Sequence, residues 1–158
     1  MESNYVRFQL PASWAVCYNS FGDEDMRVAD VSIENFWYYK EDLLWLQSMR
    51  STKNPDSCYE LDPAGWLVDV GWYPDSDPNG AYSLHVFRLD PEEDGWPIDP
   101  PQFRSRNRYQ IRAVLEYIVN HIAHPGDNAE TSRQRMVDLQ LLHDKGQLDE
   151  FLTSAGYS

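Results

Sequence analysis

His121 and His124 stand three residues apart, a one-turn spacing on a helix that can bring two imidazoles to one metal ion. No H-E-x-x-H or E-x-x-H pattern accompanies them. The end of a helix also favours a cationic imidazole on purely electrostatic grounds. A second chemical pattern is Asp75, Asp77 and Asn79 followed by Gly80, the way a calcium loop begins. The twelfth position of such a loop should be a bidentate Glu and is Val86, its fourth is Pro78, and both flanks are strand-like. The stretch therefore reads as an acidic turn whose side chains cap local backbone groups. Nucleophilic and phosphate-binding signatures (G-x-S-x-G, a Gly-rich phosphate loop, a catalytic-cysteine string) do not occur. Cys17 and Cys58 lack C-x-x-C spacing and are expected to be ordinary thiols of a reducing cytoplasm. Arg104, Arg106, Arg108 and Arg112 form a basic cluster at a helix start, where they oppose the helix dipole. They are expected to meet acidic neighbours in a salt-bridge network rather than a phosphate. No metal and no cofactor is expected.

The elements that must hold these residues follow from periodicity and punctuation. WAVCYNSF, residues 14–21, is apolar and β-prone, and FGDEDMRVAD after it is a loop. SIENFWYYKEDLLWLQSM, from Ser32, fits a helix or a helix followed by a strand, because capping favours the first and aromatic content the second. GWLVDVGWY puts Val68, Val70 and Trp72 on one strand face and Leu67, Asp69 and Tyr73 on the other. AYSLHVFRL likewise places Tyr82, Leu84 and Val86 opposite Ser83 and His85. PDSDPNG joins them as a long hairpin loop, and DPEEDGWPIDPP is an irregular acidic loop. SRNRYQIRAVLEYIVNHIAHPG carries Ile111, Val114, Leu115, Ile118 and Ile122 at helical steps, with Pro125-Gly126 as its stop. TSRQRMVDLQLLHDKG predicts a second helix with Met136, Leu139 and Leu142 on one stripe, Gly146 breaks it, and LDEFL adds a last turn. The order predicts an α+β fold, an antiparallel sheet with helices packed on one face and a helical C-terminus. Residues 1–124 are expected to form one domain, with 125–158 a helical extension packed on it.

The net charge is −13, and its placement says more than its size: residues 1–100 carry 19 acids against 6 bases, residues 101–158 seven of each. Such a field disfavours nucleic acid, whose binding needs cations, and attracts cationic partners. No apolar run approaches the roughly 20 residues that span a bilayer, and the start lacks a secretion signal, so no membrane role and a cytoplasmic location are expected. Three acidic loops sit beside large aromatics. Asp23, Glu24 and Asp25 follow Phe21; Asp75 and Asp77 follow Trp72 and Tyr73; Glu92, Glu93 and Asp94 precede Trp96. Interfaces concentrate such aromatics as anchors, with charge setting orientation and on-rate. The candidate partner-binding surface is therefore Asp23, Glu24, Asp25, Trp72, Tyr73, Asp75, Asp77, Glu92, Glu93, Asp94 and Trp96. Two of these loops leave opposite ends of the strand at 81–89, which sets a geometric condition on their acting together.

YKEDLLWLQ at 39–47, WLVDVGWYPDSDPNGAYSLHVFR at 66–88 and PPQFRSRNRYQIRAVLEYIV at 100–119 resemble the small immunity proteins of bacterial polymorphic-toxin and contact-dependent growth inhibition systems. The opening WAVCYNSF fits that family's W-x-V-x-x-N-x-F strand, with Asn19 and Phe21 in place, and the resemblance covers residues 14–122. It implies a non-enzymatic antidote that binds a cognate toxin domain, frequently a basic nuclease, with no catalytic residue of its own. The residues alone also admit a small metal-dependent hydrolase using His121 and His124, or a soluble regulatory interaction module.

Overall fold

The computed structural model describes residues 4–54, 56, 58–123 and 128–158. His124, the Pro125-Gly126 stop and the boundary between the two segments expected from the sequence lie outside them. The chain folds as α+β: a six-stranded antiparallel sheet followed by three helices. The strands are β1 (Trp14–Asn19), β2 (Val28–Ala29), β3 (Ser32–Ile33), β4 (Leu44–Ser51), β5 (Tyr59–Leu61), β6 (Trp66–Tyr73), β7 (Ala81–Arg88) and β8 (Gln102–Ser105). The helices are α1 (Arg108–His121), α2 (Ala129–Asp144) and α3 (Leu148–Ser154). The main path runs β1-β4-β6-β7-β8, β5 pairs with β4, and β2-β3 form a separate small hairpin.

The β6-β7 hairpin is the axis of the sheet because both strands have the strict two-residue alternation that buries one face. Its register pairs Val68 with Val86, Val70 with Leu84 and Trp72 with Tyr82. Leu44 and Leu46 extend that row through β4, and Phe103 through β8. Against it α1 sets Ile111, Val114, Leu115 and Ile118, all inaccessible to solvent. Met136 and Leu139 of α2 and Leu148 and Leu152 of α3 join the same apolar cluster. The C-terminal helices thus share one core with the sheet.

The segment from Ser32 corrects the helical half of its expectation. It is β3, a single 3-10 turn at Phe36–Tyr38, and then strand β4. Consecutive aromatics lose rotamer freedom in a helix and pack better on a pleated surface. Here Tyr38 and Tyr39 turn inward, and Tyr39 packs edge-on against Trp72 at 4.9 Å between ring centroids. Close approach of the backbones requires Gly71, since a side-chain carbon there would run into the Glu41 carbonyl. That approach lets Leu43 N–H donate to Val70 O at 3.0 Å and Trp72 N–H to Lys40 O at 2.7 Å.

Candidate functional site

The three acidic loops separate into two places. Asp23, Glu24 and Asp25 lie beside the start of α1. Arg108 donates to Asp23 at 2.8 Å and to Asp25 at 2.7 Å, and Tyr109 Oη donates to Asp23 at 2.7 Å. Those bonds, first from Tyr109 and then from Arg108, hold the Asp23 carboxyl below its ordinary range. Tyr39 Oη donates to the Glu24 carbonyl at 2.9 Å, and the Ser76 N–H donates to the Tyr39 carbonyl at 2.8 Å. Loop 23–25 and loop 74–80 therefore flank one segment at the same end of the sheet. Asp75 accepts from Ser76 Oγ at 2.6 Å and pairs with Lys40 at 3.2 Å. The Asp77 carbonyl accepts from the Trp72 indole at 2.8 Å, and its carboxylate caps Asn79 N–H at 2.8 Å. The turn is the capping structure that its composition implies.

The arginine cluster stitches this end together, though mostly not through carboxylates. Arg106 donates to the carbonyls of Gly80 and Pro78 and lies over the Trp72 ring, Arg104 donates to the Tyr73 carbonyl, and Arg112 to the Ser158 carbonyl. Of the four, Arg108 is the one held by acids among the described residues. Trp72 needs correction as a candidate anchor: it is 1% exposed and belongs to the core. Even-numbered positions of β6 face the helices, so the indole that looked like a partner contact packs on Tyr39 and Tyr82.

Glu92, Glu93 and Asp94 are exposed and lie in the β7–β8 connection, at the other end of β7 from Asp75 and Asp77. An eight-residue strand puts roughly 25 Å between the two ends. Continuing from them, the chain folds Trp96 back across the face of the sheet that carries no helix. The Trp96 ring lies 5.1 Å from Phe87 and 5.2 Å from the His85 ring. Tyr73 is half-buried on this same face, 6.0 Å from His85.

That face holds a feature the sequence reading passed over. Register places Tyr18, Trp45, Asp69, His85 and Gln102 side by side, one from each of five strands. Asp69 is the buried centre of this row. Its side chain is 10% exposed, its Oδ2 has no hydrogen-bond partner, and the His85 Nδ1, equally unpartnered, stands 4.0 Å away. That separation is too long for a hydrogen bond. Burial pushes the Asp69 carboxyl up to about 7, with the neighbouring charge of Asp42 adding to the shift. Burial also pushes His85 down, against a hydrogen bond with Gln102. Near neutral pH the imidazole is uncharged, so it is no counterion for the carboxylate. An unpaired buried charge of this kind costs several kcal/mol. Above Asp69 a cavity of about 610 Å³ opens between Tyr18, Trp45, Leu67 and Trp96, with Asp42 at its wall. Its lining includes two carboxylates and no Lys or Arg. The signal was present in the sequence as an Asp flanked by Val68 and Val70 within a strand, a position where carboxylates are rare.

A second concavity, also about 610 Å³, lies among the helices beside Tyr117, His121, Arg135 and Asp138. The His121 Nε2 is engaged by Tyr157 Oη at 2.9 Å, and the Arg135 guanidinium caps the His121 carbonyl. Among the described residues no group of three or more His, Cys, Asp or Glu is placed to hold a metal ion, and no helix is long and apolar enough to cross a membrane.

Comparison of the chain with protein-family models, curated proteins and solved structures yields no match.

Proposed function

We propose that the chain is a non-catalytic, cytoplasmic binding protein that neutralises a cationic toxin domain, in the manner of an immunity protein, through the helix-free face of its sheet. The observation that carries this reading is the acidic cavity on that face, framed by the exposed rings of Tyr18, Trp45 and Trp96 and lined by no cation. Helix-free sheet surface with three large, half-exposed aromatics and an acidic rim has the make-up of an interface core: rings to bury and charge to steer. Tyr73, Glu92, Glu93, Asp94 and Trp96 of the expected surface contribute here. Asp23, Asp25 and Asp75 are tied to Arg108 and Lys40 and serve the architecture of the opposite end, with Glu24 and Asp77 beside them. The exposed acids suit a basic protein, since they supply the negative charge that a nuclease would otherwise meet on phosphate.

Co-expression with the toxin domain encoded beside this chain tests the reading. Protection and a purified complex are expected. Changing Glu92, Glu93 and Asp94 together to Lys should cut the association rate 10-fold or more at low salt, and Trp96→Ala should speed dissociation. Survival of neither cell nor complex would overturn the proposal. Unchanged kinetics in both variants, measured by surface plasmon resonance, would place the contact elsewhere on the molecule.

A further inference from the structure

The cavity beneath Trp96 has a chemistry more specific than an acidic surface. Its base is Asp69, nine-tenths buried and with one carboxylate oxygen lacking any partner. Asp42 stands at the wall, close enough to disfavour ionisation of Asp69. His85 is adjacent, but too far for a hydrogen bond; the positive charge beyond it is Arg104, which acts on the imidazole and donates to the Tyr73 carbonyl, outside the lining of the cavity. The walls are aromatic: Trp45 and Trp96 present 42% and 48% of their surfaces. A buried carboxylate below, a second at the side and two indole rings in the lining form a site that rewards one class of guest. A delocalised cation is attracted by indole faces and by carboxylates together, and its modest hydration lowers the cost of entry.

We propose that this cavity receives one arginine side chain of the protein partner, its guanidinium seated on Asp69 between Trp45 and Trp96. The inference deepens the proposed function and rests on it for the source of the arginine. It assigns the partner a protruding arginine as its anchor, surrounded by contacts of lesser weight. The pairing is made to a carboxylate whose side chain is only 10% exposed, so it should be felt in the dissociation rate, whereas the exposed Glu92, Glu93 and Asp94 act on arrival.

The test needs no toxin. Ethylguanidinium is titrated into the intact chain at pH 7.5 while the indole N–H resonances of the tryptophans are followed by NMR, with N-ethylurea as the neutral isostere and sodium chloride as the ionic control. The expected result is saturable shifts of Trp45 and Trp96 with a millimolar Kd, suited to so small a ligand. Trp66 and Trp72, on the other face, should stay still, and N-ethylurea should have no effect. Asp69→Asn, which keeps the shape, should abolish the response, and Trp96→Ala should weaken the shift of Trp45. No saturable shift, equal shifts with N-ethylurea, or a full response in Asp69→Asn would overturn the inference. Failure here alongside a stable toxin complex removes the arginine pocket and leaves the binding reading intact. A guanidinium response without any toxin complex does the reverse.

Discussion

Asp69 concentrates the cost of burying a carboxyl without a partner in a single side chain. Its folded pKa of about 7 lies well above the value near 4 of an unfolded aspartate. Below pH 4 both states hold the proton and the carboxyl costs nothing. Between pH 4 and about 7 the unfolded chain has released its proton while the folded chain keeps it, so the group's contribution falls as pH rises, by on the order of 4 kcal/mol across the window. His85 works in the opposite sense. Its pKa is depressed by burial, so its contribution is present above the ordinary histidine range and is lost as pH drops through it. Asp69→Asn removes the first effect and keeps the second. Urea denaturation at pH 5 and pH 8 should therefore find the variant more stable than the parent at pH 8, with the difference shrinking at pH 5. A variant equally destabilised at both pH values would show that the carboxyl is paired and ionised in the fold. If the arginine proposal holds, that stabilised variant is also the weaker binder, the usual exchange at a site whose charge awaits a partner.

At the level of elements, the start of α1 is where local chemistry and long-range contacts meet. Asn107 caps the helix, its side chain accepting from the N–H groups of Tyr109 and Gln110, and Arg108 immediately after it reaches back to Asp23 and Asp25. Those carboxylates offset the unfavourable cation at a helix N-terminus and add their own favourable charge there. Asn107→Ala should cost about 1 kcal/mol. Arg108→Ala should cost roughly 1–3 kcal/mol, and hydrogen exchange should show loop 22–30 released with it; loss at α1 alone would deny the link. Sequence periodicity alone places the strands at 66–73 and 81–88 and both long helices, because two-residue and 3.6-residue repeats are local properties. β5 and β8 were missed because Tyr59–Leu61 and Gln102–Ser105 are short strands whose β character comes from their partners' edges. The aromatic run at 36–39 stayed ambiguous for the same reason, since Tyr39 takes its conformation from Trp72 and Tyr82, distant in sequence. The alternation put Asp69 and His85 on the second face but could not tell that Trp96, from the loop after β7, would cover it. Trp72 failed as a surface candidate because adjacency to acids in sequence says nothing about which side of a strand a ring takes.

The whole molecule reconciles a charge imbalance with a single core. Acidity belongs to the half that supplies every strand but β8, yet the two halves are not electrically separate, because Arg104, Arg106, Arg108 and Arg112 from the second half reach into the loops and terminus of the fold. Those arginines serve one end of the sheet, while the cavity on the helix-free face has none among its lining residues. The helices thus brace the sheet from behind, and Arg133 of α2 also holds the acidic β7–β8 connection by donating to the Asp99 carbonyl at 2.9 Å. This makes a specific demand on the C-terminal segment, which composition alone would class as an appendage. α3 places Leu148 and Leu152 in the core at 1% and 2% exposure, and Phe151 and Tyr157 pack on Tyr117 of α1. Burying each leucine contributes about 1.5–3 kcal/mol, so ending the chain at Gly146 should remove about 5 kcal/mol once the aromatics are included. Against a typical total of 5–15 kcal/mol, the shortened chain should lose its cooperative urea transition or show a midpoint far below that of the parent. A shortened chain with an unchanged midpoint would mean that the sheet and α1 fold independently of the tail. The same experiment bears on binding, since a surface of half-buried rings keeps its shape only while the layer behind the sheet holds the strands in register.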